Sequence, residues 1–240
     1  MRHTTAEPLF ENRYDAGRKL AEKLYDYAGK SAVVLGIPNG GIAVALGVAL
    51  GINAELDLVI SRKIPLPLSP EGGFGSVTDD GTTIFDDAII KNAGLSQAQI
   101  NYQVNQVRSD IRHRSLLYHT DRPPLSISGR TVIIVDDGLA SGYTMRAAIE
   151  SLRHRGPKHI IAAVPVGPEP IVEALREVAD RVVTCVVGKE PRFYIADYYR
   201  SWHDIADAEV LHCLKEWQMR RNGPRVKLPE SKLKPFEFSR

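Results

Sequence analysis

The stretch that decides the fold runs from Val132 to Met145 and reads VIIVDDGLASGYTM. Its first four residues are apolar and β-branched, which is typical of a strand buried on both faces of a parallel sheet. Two carboxylates, Asp136 and Asp137, follow where that strand ends, and a run of small residues then leads into the helical pattern AAIESLRHRG. Backbone N–H groups of such a run, at the start of a helix, can close around a phosphate. An acid pair followed by a phosphate-binding turn suits a sugar phosphate.

The same stretch resembles the phosphoribosyl diphosphate (PRPP) motif of type I phosphoribosyltransferases, and the chain is most similar to their subgroup of predicted phosphoribosyltransferases. The resemblance implies that Asp136 and Asp137 bind the ribose 2′ and 3′ hydroxyls, which donate hydrogen bonds to carboxylates. It also implies a loop that holds the 5-phosphate, made of Gly138, Leu139, Ala140, Ser141, Gly142, Tyr143 and Thr144. The alternative is a plain strand end followed by helix-capping residues. The length of the matching pattern favours the functional interpretation.

Composition indicates one α/β domain with extra elements, because the chain has 240 residues, 43% of them hydrophobic. The formal net charge of +2 gives no case for a nucleic-acid partner. No apolar run is long enough to cross a membrane, and the first residues lack the apolar centre of a signal peptide. We therefore expect a cytoplasmic protein with no membrane partner, and a homodimer is left open.

Strand and helix patterns alternate along most of the chain. This alternation predicts a Rossmann-like parallel sheet with helices on both faces, and such sheets bind ligands outside the carboxyl ends of their strands. The predicted strands cover residues 31–37, 56–61, 132–135, 159–166 and 181–188. We expect a phosphoribosyltransferase core over residues 10–188, a small hood over 189–220 and an extended tail over 221–240.

An irregular insertion interrupts this alternation. Residues 62–83 hold three prolines and four glycines, and we interpret residues 64–80 as a mobile loop that covers the substrates. A cover is needed because a ribosyl centre open to water would be hydrolysed. Within the insertion, which extends to about residue 120, the pattern predicts a hairpin turning at Asp80 and Gly81. Helices are predicted over residues 86–93 and 96–117, the second opened by Ser96.

A second small-residue turn follows the first predicted strand and consists of Pro38, Asn39, Gly40 and Gly41. Two glycines let backbone N–H groups approach an anion closely. The resemblance implies that this turn binds the pyrophosphate of PRPP, and that Asn39 stands where the subgroup has an arginine. An amide can donate a hydrogen bond to phosphate but brings no charge. The alternative is an ordinary turn between a strand and a helix.

Several cations could neutralise a polyphosphate near this edge. Arg62 and Lys63 are predicted to close the second strand, and they resemble basic residues of related transferases; the alternative is a solvated pair. Arg108, Arg112 and Arg114 follow in the second predicted helix. We interpret those three as a solvated basic face, with a pyrophosphate contact as the alternative.

The aromatic-rich segment after residue 192 is interpreted as the hood that binds the acceptor base. Tyr194, Tyr198, Tyr199 and Trp202 could stack on a flat heterocycle. The alternative is that aromatic side chains of this segment belong to the core.

Taken with its implications, the resemblance predicts a magnesium-dependent phosphoribosyltransferase of nucleotide salvage. It would move the 5-phosphoribosyl group from PRPP to a small nitrogenous acceptor, and its catalytic residues would be Asp136, Asp137, Arg62 and Lys63. Mg²⁺ would be held mainly through PRPP, with Asp136 or Asp137 as the protein ligand. The alternative is a regulatory protein that binds PRPP without turnover, which the neutral Asn39 favours.

Overall fold

Strands and helices follow one another through residues 8–119, 123–190 and 192–222, which are the residues that the computed structural model describes, without the side chains of Pro70 and Asn222. In chain order the elements are α1 (Arg13–Lys23), β1 (Val33–Gly36), α2 (Gly40–Gly51), β2 (Glu55–Leu58), β3 (Ser61–Leu66), β4 (Ser69–Thr78), β5 (Thr83–Phe85), α3 (Asp87–Asn92), α4 (Gln97–Tyr118), β6 (Thr131–Val135), α5 (Tyr143–Arg153), β7 (His159–Pro168), α6 (Glu169–Arg176), β8 (Arg181–Gly188) and α7 (Asp207–Asn222). Short 3₁₀ helices lie at Tyr25–Tyr27 and Ile195–Tyr198.

The main sheet has five strands in the order β2-β1-β6-β7-β8, and all its neighbours pair in parallel. Successive side chains of a strand point to opposite faces. Accordingly Val34 and Ile133 pack in one apolar cluster, with helices α1, α2, α4 and α7, while Val33 and Ile134 pack in a second cluster with α5 and α6. Helices therefore cover both faces, and the predicted fold class is confirmed.

The parallel arrangement brings two predicted substrate turns to one edge of the sheet. Gly36 at the end of β1 is in register with Val135 at the end of β6, and the Ile37 amide donates to the Val135 carbonyl at 2.8 Å. Because α2 begins at Gly40 and α5 at Tyr143, both helices start at this edge. The turn after β1 and the turn after β6 are thus neighbours.

The insertion differs from its prediction. Residues 62–73 are not irregular, because they belong to β3, the first half of β4 and the short turn between them, and these strands form an antiparallel sheet with β5. Register shifts on both sides of Pro65 let this strand accommodate a proline. The predicted hairpin is confirmed, since the Gly81 amide donates to the Thr78 carbonyl at 3.0 Å in the turn between β4 and β5. That the segment covers the substrates stays a prediction.

The second predicted strand ends earlier than expected. It stops at Leu58, so Arg62 and Lys63 lie in β3 of the small sheet and do not close a strand of the main sheet. The apolar run misled the prediction because Val59 and Ile60, which connect the two sheets, are themselves buried.

The remaining elements agree with the predicted helices at most positions. Ser96 caps α4 in a capping box with Gln99, as the Ser96 amide donates to Gln99 Oε1 at 2.9 Å. The predicted tail cannot begin at residue 221, because Arg221 and Asn222 belong to α7; residues 223–240 lie outside the described residues. In the described ranges, none of the helices combines the length and the apolar character that a membrane crossing requires.

Candidate active site

The acid pair lies directly after β6 at the carboxyl edge of the sheet. The Asp137 amide donates to Asp136 Oδ1 at 2.9 Å, and the Tyr199 hydroxyl donates to the Asp137 carbonyl at 2.6 Å. These two bonds hold the backbone of the pair between the sheet and the segment that follows β8.

Arg13, the first residue of α1, holds the carboxylate of Asp137. Its Nε donates to Asp137 Oδ2 at 2.7 Å, and its NH1 donates to the His203 carbonyl at 2.8 Å. The guanidinium also lies 3.7 Å from the centre of the Trp202 ring, and Arg13 is only 6% exposed. A cation this buried, with its donors directed at a carboxylate and a carbonyl, keeps Asp137 in a fixed orientation.

The surroundings of the acid pair disfavour the charged form of both carboxyl groups. The pKa of Asp136 is raised well above its ordinary value, because burial disfavours the charged form and because the Asp137 charge lies beside it. Burial also raises the pKa of Asp137, although the charge and the hydrogen bond of Arg13 offset part of the rise. Hydroxyl donors or a further cation at this position would stabilise both carboxylates.

The glycine turn packs directly against the acid pair. A Cβ on Gly40 would lie 1.9 Å from Asp137 Oδ2, and a Cβ on Gly41 would lie 2.7 Å from the Val135 carbonyl oxygen. Both positions therefore require glycine, and the reason is contact with the neighbouring turn. The peptide bond between Pro38 and Asn39 in this turn is cis.

The Asn39 side chain bonds to protein groups at both ends. Its Nδ2 donates to the Ile205 carbonyl at 2.7 Å and to Asp207 Oδ1 at 3.0 Å, and its Oδ1 accepts from Arg114 NH1 at 2.7 Å. The Tyr118 hydroxyl donates to the same Asp207 oxygen at 2.6 Å. Helices α4 and α7 thus meet at the turn that was predicted to bind pyrophosphate.

The predicted phosphate loop leads directly into the start of helix α5. Gly142 adopts a left-handed φ of 76° immediately before α5, and the Leu139 amide donates to the Val166 carbonyl at 2.9 Å. The N–H groups of the first turn of a helix have no partner within the helix, and the helix dipole favours an anion there. Tyr143 bonds to Asp86 beside α3, and Ser61 Oγ donates to the Thr144 carbonyl at 2.8 Å, so the small sheet supports this loop.

The two predicted cations separate in the structure. Arg62 is half-buried, and its pKa is lowered, first by burial and then by the charge of Arg114. Lys63 is exposed and donates to the Glu71 carbonyl at 2.6 Å across the β3–β4 pair. The charge of Arg114 thus acts on Arg62, whereas Lys63 contacts a backbone carbonyl of the small sheet.

The hood prediction is corrected for one residue. Tyr199 is 4% exposed, with its ring 5.2 Å from that of Phe10, so it belongs to the core and is not available to stack on a base. The Phe10 amide donates to the Tyr198 carbonyl at 3.0 Å, and the Arg200 amide donates to the Phe10 carbonyl at 2.8 Å.

The other three predicted stacking residues keep some exposure. Tyr198 is half-buried and donates to Glu190 at 3.0 Å, and Trp202 is 36% exposed with Arg13 against its ring. Tyr194 is 63% exposed. Its neighbour Ile195 packs on the phosphate loop, since a Cβ on Gly138 would lie 2.6 Å from its Cγ2.

Sequence reasoning missed Arg13, Tyr118 and Asp207, and it gave Arg114 a phosphate role only as the alternative. Arg13 and Asp137 are separated by 124 residues, so no local spacing connects them. Arg114 lies 75 residues from Asn39, and Asp207 lies 168 residues from it. The sequence contained one signal for Arg114. Because Asn39 is neutral, a pyrophosphate site at this turn would need a positive charge from another element.

Metal ligands are sparse at this edge. Within the described part of the chain, no group of three or more His, Cys, Asp or Glu side chains could hold a metal ion. Asp136 and Asp137 offer two carboxylates whose raised pKa values a cation would reverse. This donor set suits Mg²⁺, which keeps several waters and binds through one or two carboxylates together with substrate phosphates.

A known protein family and several known proteins are similar to this chain. The model of the phosphoribosyl transferase domain matches residues 7–196. A Mycobacterium tuberculosis protein named "Putative phosphoribosyl transferase" is 36% identical over 203 residues, 85% of this chain and 46% of that protein. The chain therefore spans about half the length of the curated relatives that it matches first.

Two further relatives are covered more fully. A uracil phosphoribosyltransferase from Corynebacterium diphtheriae is 32% identical over 171 residues, 63% of this chain and 76% of that protein. The crystal structure of the protein TT1426 from Thermus thermophilus has a TM-score of 0.71 and 34% identity, covering 87% of this chain and 98% of that one. Because the family model spans most of the sequence, the chain belongs to the phosphoribosyl transferase domain family.

Proposed function

We propose that this chain transfers the 5-phosphoribosyl group of PRPP to a nitrogen of a small acceptor and releases pyrophosphate. The observation that carries the proposal is the contact between the two substrate turns, in which Gly40 leaves no room for a Cβ beside Asp137 Oδ2. This contact puts a carboxylate pair and a glycine-rich helix start within the reach of one sugar diphosphate.

Each part of PRPP has a matching group at this edge. The ribose hydroxyls would donate to Asp136 and Asp137, and hydroxyl donors would relieve the unfavourable burial of the two charges. The 5-phosphate would accept from N–H groups at the start of α5. The pyrophosphate would lie at the turn before α2, where the Gly41 and Ile42 amides already donate to the Ile37 and Asn39 carbonyls.

Positioning and charge stabilisation would provide most of the rate enhancement. Breaking the bond at the anomeric carbon leaves positive charge on the ribose and negative charge on the pyrophosphate, so the fixed carboxylates and N–H dipoles act where charge develops. Mg²⁺, held mainly by PRPP with Asp136 or Asp137 as the protein ligand, would neutralise the leaving group. Arg13 fixes the orientation of Asp137 throughout.

The acceptor proposed is a nucleobase, as nucleotide salvage requires. Support comes from the name of the Corynebacterium diphtheriae relative, a uracil phosphoribosyltransferase. The segment after β8 provides the neighbouring surface, because Ile195 packs on Gly138 of the phosphate loop and Tyr194 is exposed beside it.

A second candidate is a protein that binds PRPP without turnover. The neutral side chain of Asn39, with both ends bonded to protein groups, favours it. Arg114 weakens this argument, because it brings a positive charge to the same turn from α4.

The test is a panel assay of the whole chain with PRPP, Mg²⁺ and a set of purine, pyrimidine and amine acceptors, in which pyrophosphate release is measured. We expect release that depends on one acceptor class and is lost in Asp137→Asn. Tight PRPP binding by calorimetry without release for any acceptor would support the regulatory candidate. Absence of both binding and release would contradict the proposal.

A further inference from the structure

A carboxylate of the protein itself lies at the turn that is predicted to bind pyrophosphate. The carboxylate of Asp207, the first residue of α7, accepts from Asn39 Nδ2 at 3.0 Å and from the Tyr118 hydroxyl at 2.6 Å, with Arg114 NH1 at 3.7 Å. These donors come from two separate elements and converge on a single carboxylate oxygen. Such a set of donors is one that a phosphate oxygen could also use.

Asn39 is suited to hold an arginine that comes from another element. Its Oδ1 accepts from Arg114 NH1 at 2.7 Å. An arginine at position 39 has no acceptor atom and would put a second guanidinium against Arg114. Asn39 thus brings no positive charge to the turn itself, but it can orient the guanidinium of Arg114, which α4 supplies.

The charges around this turn support an anion site. Burial lowers the pKa of Arg62 and the charge of Arg114 lowers it further, while the charges of Asp110 and Asp207 offset part of the fall. Although partial burial alone would raise it, hydrogen bonds from Tyr118 and Asn39 and the charge of Arg114 hold the pKa of Asp207 below its ordinary value. The described contacts thus keep Asp207 charged in the presence of two cations.

We propose that Arg114, oriented by Asn39, is the cationic ligand of the pyrophosphate group. In the absence of substrate the Asp207 carboxylate lies against the Arg114 guanidinium, and the diphosphate displaces this carboxylate when it binds. The inference rests on the proposed function, since it assigns a binding residue to the same site. Displacement of Asp207 would also remove its contacts with Asn39, Tyr118 and Arg114, so that diphosphate binding and the contacts of the first residue of α7 are linked.

The test measures binding of inorganic pyrophosphate and of PRPP, each with Mg²⁺, by calorimetry at low salt. Arg114→Gln removes the proposed ligand, and Arg112→Gln removes the same charge from an exposed position of the same helix. We expect Arg114→Gln to weaken both ligands on the order of tenfold or more, as for a lost charge-assisted hydrogen bond. The Arg112→Gln control should change affinity less than about twofold.

Two further variants keep the inference testable if Arg114→Gln folds poorly. Asp207→Asn removes the competing charge and should tighten pyrophosphate binding severalfold. The double variant Asn39→Arg/Arg114→Gln moves the positive charge from position 114 to position 39. It should recover most of the pyrophosphate affinity that Arg114→Gln loses. Equal affinities for Arg114→Gln and Arg112→Gln, or no gain in Asp207→Asn, would overturn the inference. Failure of the wild-type chain to bind either ligand would instead contradict the proposed function.

Discussion

Burial and the neighbouring charge of Asp137 disfavour the charged form of Asp136, and the hydroxyl groups of a bound substrate would stabilise that form. Its raised pKa means that the folded protein holds the proton more tightly than the unfolded chain does. The stabilisation that this gives is fully present below the ordinary pKa of 3.8 and is lost as the pH rises through the raised pKa. At neutral pH the carboxyl group of Asp136 therefore lowers the free energy of unfolding.

Asp136→Asn should consequently be more stable than the wild type at neutral pH while it binds PRPP about tenfold or more weakly. The melting temperature should rise by about 2–4 °C for each kcal/mol gained, and the gain should vanish below pH 3.8. Thermal unfolding across this pH range and PRPP calorimetry measure both effects.

A matched control is Glu150→Gln, which removes one carboxylate from an exposed position of α5. It should change neither quantity. Unchanged PRPP affinity in Asp136→Asn would argue against the ribose assignment, and a lower melting temperature at neutral pH would argue against the buried charge.

At the residue level, the sequence predicted best where function depends on neighbours along the chain. Asp136, Asp137 and the loop after them are continuous in sequence, and they lie together at the sheet edge as expected. Arg13 could not be found in this way, because its contact with Asp137 depends on where α1 packs. The same holds for Asp207, whose contact with Asn39 depends on α7.

At the scale of elements, the segment from β8 to α7 has a buried side and an exposed side. Tyr199 contacts Phe10 and Asp137 and is 4% exposed, whereas Tyr194 is 63% exposed. The two tyrosines have the same side chain, so the difference in surroundings alone separates a core position from a surface position.

Tyr199→Ala should lower the free energy of unfolding by about 3–5 kcal/mol, as other buried aromatic truncations do. Tyr194→Ala should leave the melting temperature unchanged and raise the acceptor KM about threefold to tenfold, the equivalent of a lost aromatic contact. PRPP affinity should stay the same in Tyr194→Ala. Thermal unfolding and steady-state kinetics measure these effects, and an unchanged acceptor KM would mean that the base binds elsewhere along the edge.

Element boundaries were predicted well for the main sheet and poorly for the small one. Buried parallel strands give continuous apolar runs, as in β6, which are easily recognised. The stretch from β3 through β4 contains three prolines and several glycines, which usually mark irregular chain. A proline can still lie in a strand when the register shifts beside it, as it does at Pro65. The pairing of β3 with β4, and its register shift beside Pro65, cannot be recognised from a single sequence.

At the scale of the whole molecule, α7 completes the core although the family match ends at residue 196. Val210, Leu214 and Trp217 are each less than 10% exposed and pack in the same cluster as α2 and α4. The Trp217 indole also donates to the Ala54 carbonyl at 3.1 Å beside β2. This helix therefore belongs to the folded domain and cannot be treated as an appendage.

Trp217→Ala should destabilise the protein by about 3–5 kcal/mol, which corresponds to a fall in melting temperature on the order of 10 °C. Met219→Ala, on the same helix at 64% exposure, should change stability by less than about 0.5 kcal/mol. Calorimetric unfolding of both variants compares them. Equal melting temperatures would show that α7 contributes little to the core.

The pairing of Phe10 with the segment around Tyr198 and Arg200 has a consequence for how the domain folds. About 190 residues separate these partners, and closing so long a loop costs more chain entropy than any local contact in the sheet. We therefore expect their hydrogen bonds to form after the intervening strands and helices have brought the two segments together. The surface proposed for the acceptor would then be among the last parts of the molecule to assemble.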